Sequence, residues 1–134
     1  MKLQDVMHDD VPTTSPDESA TAAWERMRAL DADHLVVTKG KDIVGIVSWY
    51  DLSGPLGGTH RRMGRKVGDL MRRDVVTSSP GTSVARAAAS MCASRVGCLP
   101  IVQRHKLVGI VTTSDMLGIL ARGCKPPVRK GRNT

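Results

Sequence analysis

The 134-residue sequence contains no Phe, one Tyr (Tyr50) and two Trp (Trp24 and Trp49). Its interior must therefore be built from Val, Ile, Leu, Met and Ala. No apolar run approaches the roughly 20 residues that cross a bilayer; stretches such as Met116 to Ala121 are far shorter. The first ten residues turn acidic at Asp5, Asp9 and Asp10, where a secretory signal needs an apolar stretch. The three cysteines (Cys92, Cys98 and Cys124) are odd in number and form no Cys-x-x-Cys pair. That argues against a disulfide framework and fits reduced thiols in a cytoplasm. No Ser-His-Asp order, paired catalytic carboxylates or Cys-His arrangement can be argued from spacing, nor do closely spaced metal ligands occur. The expectation is a cytoplasmic protein that is neither an enzyme nor a metal binder.

With 40% hydrophobic and 25% charged residues, the composition is that of a globular domain. The net charge of +7 is unevenly placed. Residues 58–73 carry six basic side chains against Asp69, and residues 122–134 carry five with no acid. The rest of the chain is mildly acidic. The connector around Arg61, Arg62, Arg65 and Lys66 reads as a solvated loop. The tail from Arg122 lacks apolar residues to bury and reads as disordered. Either segment offers a nucleic-acid contact, but with no aromatic residues interleaved such binding would be weak and salt-sensitive.

The dominant feature is internal repetition. Residues 2–54 align with residues 66–118 without a gap, at an offset of 64, with 19 of 53 pairs identical. The block Val44-Gly45-Ile46-Val47 recurs as Val108-Gly109-Ile110-Val111. Each copy predicts a short extended piece (Val11 to Ser15, Val75 to Ser79) and a turn at Pro16 or Pro80. A helix capped by Ser19 or Ser83 follows. Then come two β-branched strands joined by a tight turn, and a second helix. The apolar face of the first helix is Ala20, Ala23, Trp24, Met27 and Leu30 in one copy, and Val84, Ala87, Ala88 and Met91 in the other. A unit of about 53 residues buries too little surface alone. The expected fold is α+β: two β-α-β-β-α units related by a pseudo-twofold axis and packed sheet to sheet, with clefts between them. The boundaries are residues 1–56, a connector at 57–65, residues 66–121 and a tail at 122–134.

The chemically suggestive segments run from a buried strand into Ser48-x-x-Asp51 and Thr112-x-x-Asp115. In this pattern the hydroxyl and carboxylate serve as a helix cap. The same geometry suits a phosphate at the hydroxyl and free N–H groups, and sugar hydroxyls at the carboxylate. Both readings stand together.

These motifs, in this order and repeated at constant offset, resemble a tandem pair of CBS domains, the module named after cystathionine β-synthase and also called a Bateman module. The resemblance covers residues 2–121: Asp-x-Met, Val-x-Thr-x-x-Pro, Leu-Pro-Ile-Val and Gly-Ile-Val-Thr-x-x-Asp. It implies a stand-alone regulatory, energy-sensing module that binds an adenosine-containing ligand (AMP, ADP, ATP or S-adenosylmethionine) between the units. Such a module needs no catalytic cofactor and signals to a separate effector protein. It also implies a homodimer, for which Leu117, Ile119 and Leu120 would supply apolar surface. Thr112 and Asp115, with Ser48 and Asp51, are implied as phosphate and ribose contacts. Val11, Thr13, Val75 and Thr77 are implied as adenine-pocket residues, as are Val96, Gly97, Cys98 and Pro100. Arg95 is a further candidate for the phosphate.

The first copy departs from the pattern. Asp31 and Asp33 replace Arg95 and Gly97, and Val36 replaces Pro100; acids beside a phosphate repel it. Trp49 and Tyr50 replace Thr113 and Ser114, and either stack on a base or fill the cleft. The expectation is that the cleft using Thr112 and Asp115 is the better ligand site and the other is degenerate. Two readings compete with the sensor: a nucleic-acid-associated protein working through connector and tail, and an interaction module with no ligand.

Overall fold

The computed structural model describes residues 1–54 and 59–123. The first copy forms β1 (Thr13–Thr14), α1 (Ala20–Leu30), β2 (His34–Lys39), β3 (Asp42–Ser48) and α2 (Trp49–Ser53). Two short helices, α3 (Thr59–Arg62) and α4 (Val67–Leu70), lead into α5 (Val84–Ser94), β4 (Cys98–Gln103), β5 (Lys106–Thr112) and α6 (Thr113–Gly123). Strand β1 runs parallel to β2, which pairs antiparallel with β3. In the second copy the extended piece is reduced to one parallel bridge, Ser78 to Ile101, beside the antiparallel β4–β5 pair. Ser19 and Ser83 cap α1 and α5 as expected, accepting from the Ala22 and Arg86 amides at 3.0 and 3.1 Å.

Each unit has its own apolar core. Ala20, Ala23 and Met27 of α1 pack on Leu35, Val37 and Val47, and Ala87 and Met91 of α5 pack on Leu99, Ile101 and Val111. Leu30 lies off the predicted face and is exposed. A third cluster, of Val36, Cys98 and Ile110 with Val11, Ile43, Ile46 and Leu107 packed against it, joins the opposite faces of the two sheets. The sheet-to-sheet architecture thus rests on the β-branched and Leu content of strands with no aromatic residue.

The leading segment of each copy completes the other copy's unit. Leu3 is fully buried in the core of the second unit, and the Leu3 amide donates to the Thr82 carbonyl at 2.9 Å. Val67 is fully buried in the core of the first unit, and its amide donates to Glu18 at 2.9 Å. His8 pairs with Ile110 of β5, and Arg72 pairs with Ile46 of β3. All these contacts obey the offset of 64. The glycine that both Gly-Ile-Val blocks share leaves room for the exchange. A Cβ on Gly45 would lie 2.8 Å from the Arg72 carbonyl oxygen, and one on Gly109 would lie 3.1 Å from that of His8.

The connector departs from its reading as a solvated loop. Arg62 is buried, donates to the Leu52 carbonyl at 3.1 Å, and lies with its guanidinium 3.7 Å from the Trp24 ring centroid. Arg61 donates to the Asp51 carbonyl at 2.6 Å. Both arginines therefore serve the carbonyls of α2 that have no intrahelical partner. Trp49 is absent from the described linings of the cavities between the units. It stacks on Trp24, with centroids 5.3 Å apart and 25° between planes, while Tyr50 is exposed. Of the tail, residues 124–134 lie outside the described residues, as does Cys124. No helix among the described residues is long and apolar enough to cross a membrane.

Candidate functional site

Two clefts lie between the units, and each is built crosswise. In the first, the closing segment of the second copy (Ile110, Thr112, Ser114) faces the first copy's leading segment (His8, Asp9, Asp10, Pro12) and its α1–β2 loop (Asp31, Ala32, Asp33, His34). In the second, Ile46, Ser48 and Asp51 of the first copy face Arg72, Asp74 and Val76, and the α5–β4 loop from Arg95 to Cys98. The cavities measure about 590 and 220 Å³. His34 lines both.

This arrangement redistributes the charges. Asp9, Asp10, Asp31 and Asp33 all line the larger cleft, which has no Arg or Lys among its described lining residues. The smaller cleft has two arginines, Arg72 and Arg95, against Asp51 and Asp74. We call these the acidic and the arginine cleft. Arg95 is exposed and holds the C-cap of α5 in the left-handed conformation at φ 56°, as Asp31 does for α1 at φ 53°. Arg95 has no side-chain hydrogen bond or ion pair among the described residues, so it is available to an incoming anion.

The capping reading of the two closing motifs holds in full. Ser48 and Asp51 exchange backbone–side-chain hydrogen bonds at 2.9 and 3.1 Å, and Thr112 and Asp115 do so at 2.8 and 3.3 Å. In both carboxylates Oδ2 serves the cap and Oδ1 meets a basic side chain from the other copy's leading segment. His8 Nε2 lies 2.8 Å from Asp115, and Arg72 Nε lies 3.4 Å from Asp51. Burial pushes the Asp115 carboxyl upward, but the hydrogen bonds from His8 and Thr112 outweigh it and hold the group below its ordinary value. Asp51 lines the arginine cleft directly. Asp115 faces a separate cavity of about 320 Å³ with Asp5 and Arg122, beyond His8.

Between the clefts, the Nδ1 atom of His34 is buried and has no hydrogen-bond partner. Burial lowers its imidazole below the ordinary value of 6.5, with Asp33 and Asp51 opposing the shift and Arg72 adding to it. The unfolded chain then binds a proton below about pH 6.5 that the folded chain refuses, so His34 costs stability as pH falls through that value. Melting temperature is expected to drop between pH 7 and pH 5, and His34→Cys, the residue at the equivalent position of the second copy, flattens that drop. An unchanged slope would contradict this account of the buried imidazole. Burial, with a smaller effect of Asp115, pushes the Cys98 thiol up to about 12, leaving it neutral and unreactive.

The implied ligand residues do not assemble copy by copy. Thr112 lines the acidic cleft, whereas Arg95, Val96, Gly97 and Cys98 line the arginine cleft with Ser48 and Asp51. The extended segments present Pro12 and Val76 to the clefts. Val11, Thr13, Val75 and Thr77 are absent from the described linings, and Pro100 is fully buried in its strand. The acids of the first copy face Thr112 across the larger cleft, the one expected to be the better ligand site. The structure adds His8, Arg72 and Asp74 to the linings, and the offset of 64 marks the first two as a pair.

The CBS-domain sequence model matches residues 3–56 and 67–122. The inosine-5′-monophosphate dehydrogenase of Methanocaldococcus jannaschii is 34% identical over 118 residues, which are 87% of this chain and 23% of that enzyme. The homoserine O-acetyltransferase of Methanohalophilus mahii is 30% identical over 131 residues, 93% of this chain and 26% of that enzyme. The chain thus spans about a quarter of the length of these curated relatives. A CBS domain pair in complex with 5′-methylthioadenosine and S-adenosyl-L-methionine has TM-score 0.82 at 21% identity, covering 92% of this chain and 98% of that one. CBSX2 in complex with AMP has TM-score 0.76 at 23% identity, covering 90% of this chain and 97% of its own. With both copies matched and the fold shared, the chain belongs to the CBS-domain family, as a tandem pair forming a regulatory module.

Proposed function

We propose that this CBS pair is a non-catalytic sensor that binds an adenine nucleotide in the arginine cleft and signals to a separate effector protein. The supporting observation is the convergence of Arg72, Arg95, Ser48 and Asp51 on one cavity between the units. Arg95 meets the phosphate through a charge-assisted hydrogen bond. A ribose hydroxyl donates to Asp51 Oδ1, the oxygen the helix cap leaves to Arg72. Ligand then replaces a contact that ties the second copy's leading segment to the first unit, and this difference between the two states transmits the signal. The complexes of related pairs with AMP, and with S-adenosylmethionine and methylthioadenosine, set the ligand panel. We further propose a homodimer through the exposed Leu117 and Leu120 of α6. Ile119 is excluded from that surface because it packs against the second unit's core.

A thermal-shift panel of AMP, ADP, ATP and S-adenosylmethionine on wild type, Asp51→Ala and Asp115→Ala tests the reading. Ligand at 100 times its dissociation constant adds about 2.7 kcal/mol, several degrees for a domain of this size. The AMP shift is expected to vanish in Asp51→Ala and persist in Asp115→Ala. Loss in Asp115→Ala alone, or no shift with any ligand, would overturn it.

A further inference from the structure

The two clefts are built from equivalent segments yet differ in charge: the acidic cleft has four carboxylates and no Arg or Lys among its described lining residues, whereas the arginine cleft balances Arg72 and Arg95 against Asp51 and Asp74. Asp31 of the acidic cleft corresponds to Arg95 of the arginine cleft at the offset of 64. Asp31 and Arg95 share the same backbone conformation, left-handed at φ 53° and 56°, at the C-cap of equivalent helices. That conformation is one where glycine is unstrained and a long side chain is not. Arg95 therefore keeps a long charged side chain at a strained position on the rim of the arginine cleft, and Asp31, of a residue type that tolerates this conformation, holds the same place on the rim of the acidic cleft. The other charges reinforce the contrast. Asp33 stands where the second copy has Gly97, and Asp9 and Asp10 close the acidic cleft from the leading segment. A phosphate in the acidic cleft would face four carboxylates without a lysine or arginine among the described lining residues, whereas a cation there would be attracted by all four.

We propose that the pair sorts adenosyl ligands by charge, with Asp31 and Arg95 as the specificity-determining residues. The arginine cleft takes the phosphate-bearing nucleotide. The acidic cleft excludes it and takes an adenosyl compound whose 5′ substituent is positively charged, such as a sulfonium. This inference rests on the reading of the clefts as adenosyl sites. It assigns each cleft a ligand class through one side-chain position whose backbone is the same in both copies, so the two residues are interchangeable without refolding the loop.

Isothermal titration of the full chain with AMP, adenosine and S-adenosylmethionine tests this on wild type, Arg95→Asp, Asp31→Arg and the double exchange. Circular dichroism melts establish that each variant is folded. The expected wild type binds one AMP per chain. In Arg95→Asp, AMP affinity falls about tenfold or more, as for loss of one charged hydrogen bond, while neutral adenosine is unaffected. In Asp31→Arg, S-adenosylmethionine weakens, while Asp9, Asp10 and Asp33 still disfavour a second AMP. Two AMP sites in wild type, or AMP and S-adenosylmethionine affinities indifferent to both exchanges while adenosine binds, would overturn the sorting alone. Failure of all three ligands to bind wild type would overturn the adenosyl reading itself, and the sorting with it.

Discussion

Replacing Leu3 with Ala is expected to lower the stability of the whole chain by about 2–5 kcal/mol, the cost of truncating a buried Leu in a packed core. Leu3 is fully buried among Ala87, Met91, Leu99, Ile101 and Val111 of the second unit, more than 80 residues away in sequence. Its segment is held there by backbone bonds to Pro80 and Thr82 at 3.0 and 2.9 Å, and by the Val84 amide donating to the Met1 carbonyl at 2.9 Å. Chemical denaturation measures the loss. Leu30→Ala is the control, because that side chain is 55% exposed and its truncation should stay within about 0.5 kcal/mol. A loss at Leu3 no larger than at Leu30 would contradict the exchange of leading segments.

The second large effect is expected from Gly45→Ala. A methyl there meets the Met71 sulfur at 2.6 Å and the Arg72 carbonyl oxygen at 2.8 Å. Met71 can turn aside, since a thioether side chain is adaptable. The carbonyl cannot, because Arg72 and Ile46 exchange backbone hydrogen bonds at 2.8 and 2.9 Å. The expected cost is about 1–3 kcal/mol of overpacking, set against a gain of about 0.4–1 kcal/mol from the stiffer unfolded chain. Gly109→Ala should cost less, because its nearest backbone atom, the His8 oxygen, lies at 3.1 Å and the closer atoms belong to Met7. Since displacing Arg72 disturbs the arginine cleft, Gly45→Ala should also weaken AMP binding. Urea titrations and AMP titrations on both variants check the order. A neutral Gly45→Ala, or the reverse ranking, would contradict the close approach.

Much of the fold was legible because the chain states it twice. Two copies in constant register made the element order secure, and Ser19 and Ser83 announced the starts of α1 and α5. The crosswise assembly was not legible for the same reason. With two copies of one pattern, the leading segment of either satisfies the hydrogen-bonding and apolar demands of both sheets. Periodicity cannot choose between them. Gly45 and Gly109 held the clue, since a glycine in the middle of a β-branched strand marks a backbone in close approach. The arginines of the connector misled because burial of a guanidinium depends on a partner remote in sequence. Arg62 is covered by Trp24, 38 positions earlier, and no local pattern records that. The same remoteness hides from the sequence that Asp31 and Asp33 face the closing segment of the other copy.

The central claim is that residues of one copy's loop and the other copy's closing motif form a single ligand site. A crystal structure of the chain grown with AMP tests it most directly. The account predicts the nucleotide between Ser48 and Asp51 on one side and Arg95 on the other, its phosphate at the Arg95 guanidinium and its ribose at Asp51 Oδ1, with Arg72 displaced. AMP bound instead beside Thr112, with its phosphate among Asp9, Asp10, Asp31 and Asp33, would contradict it.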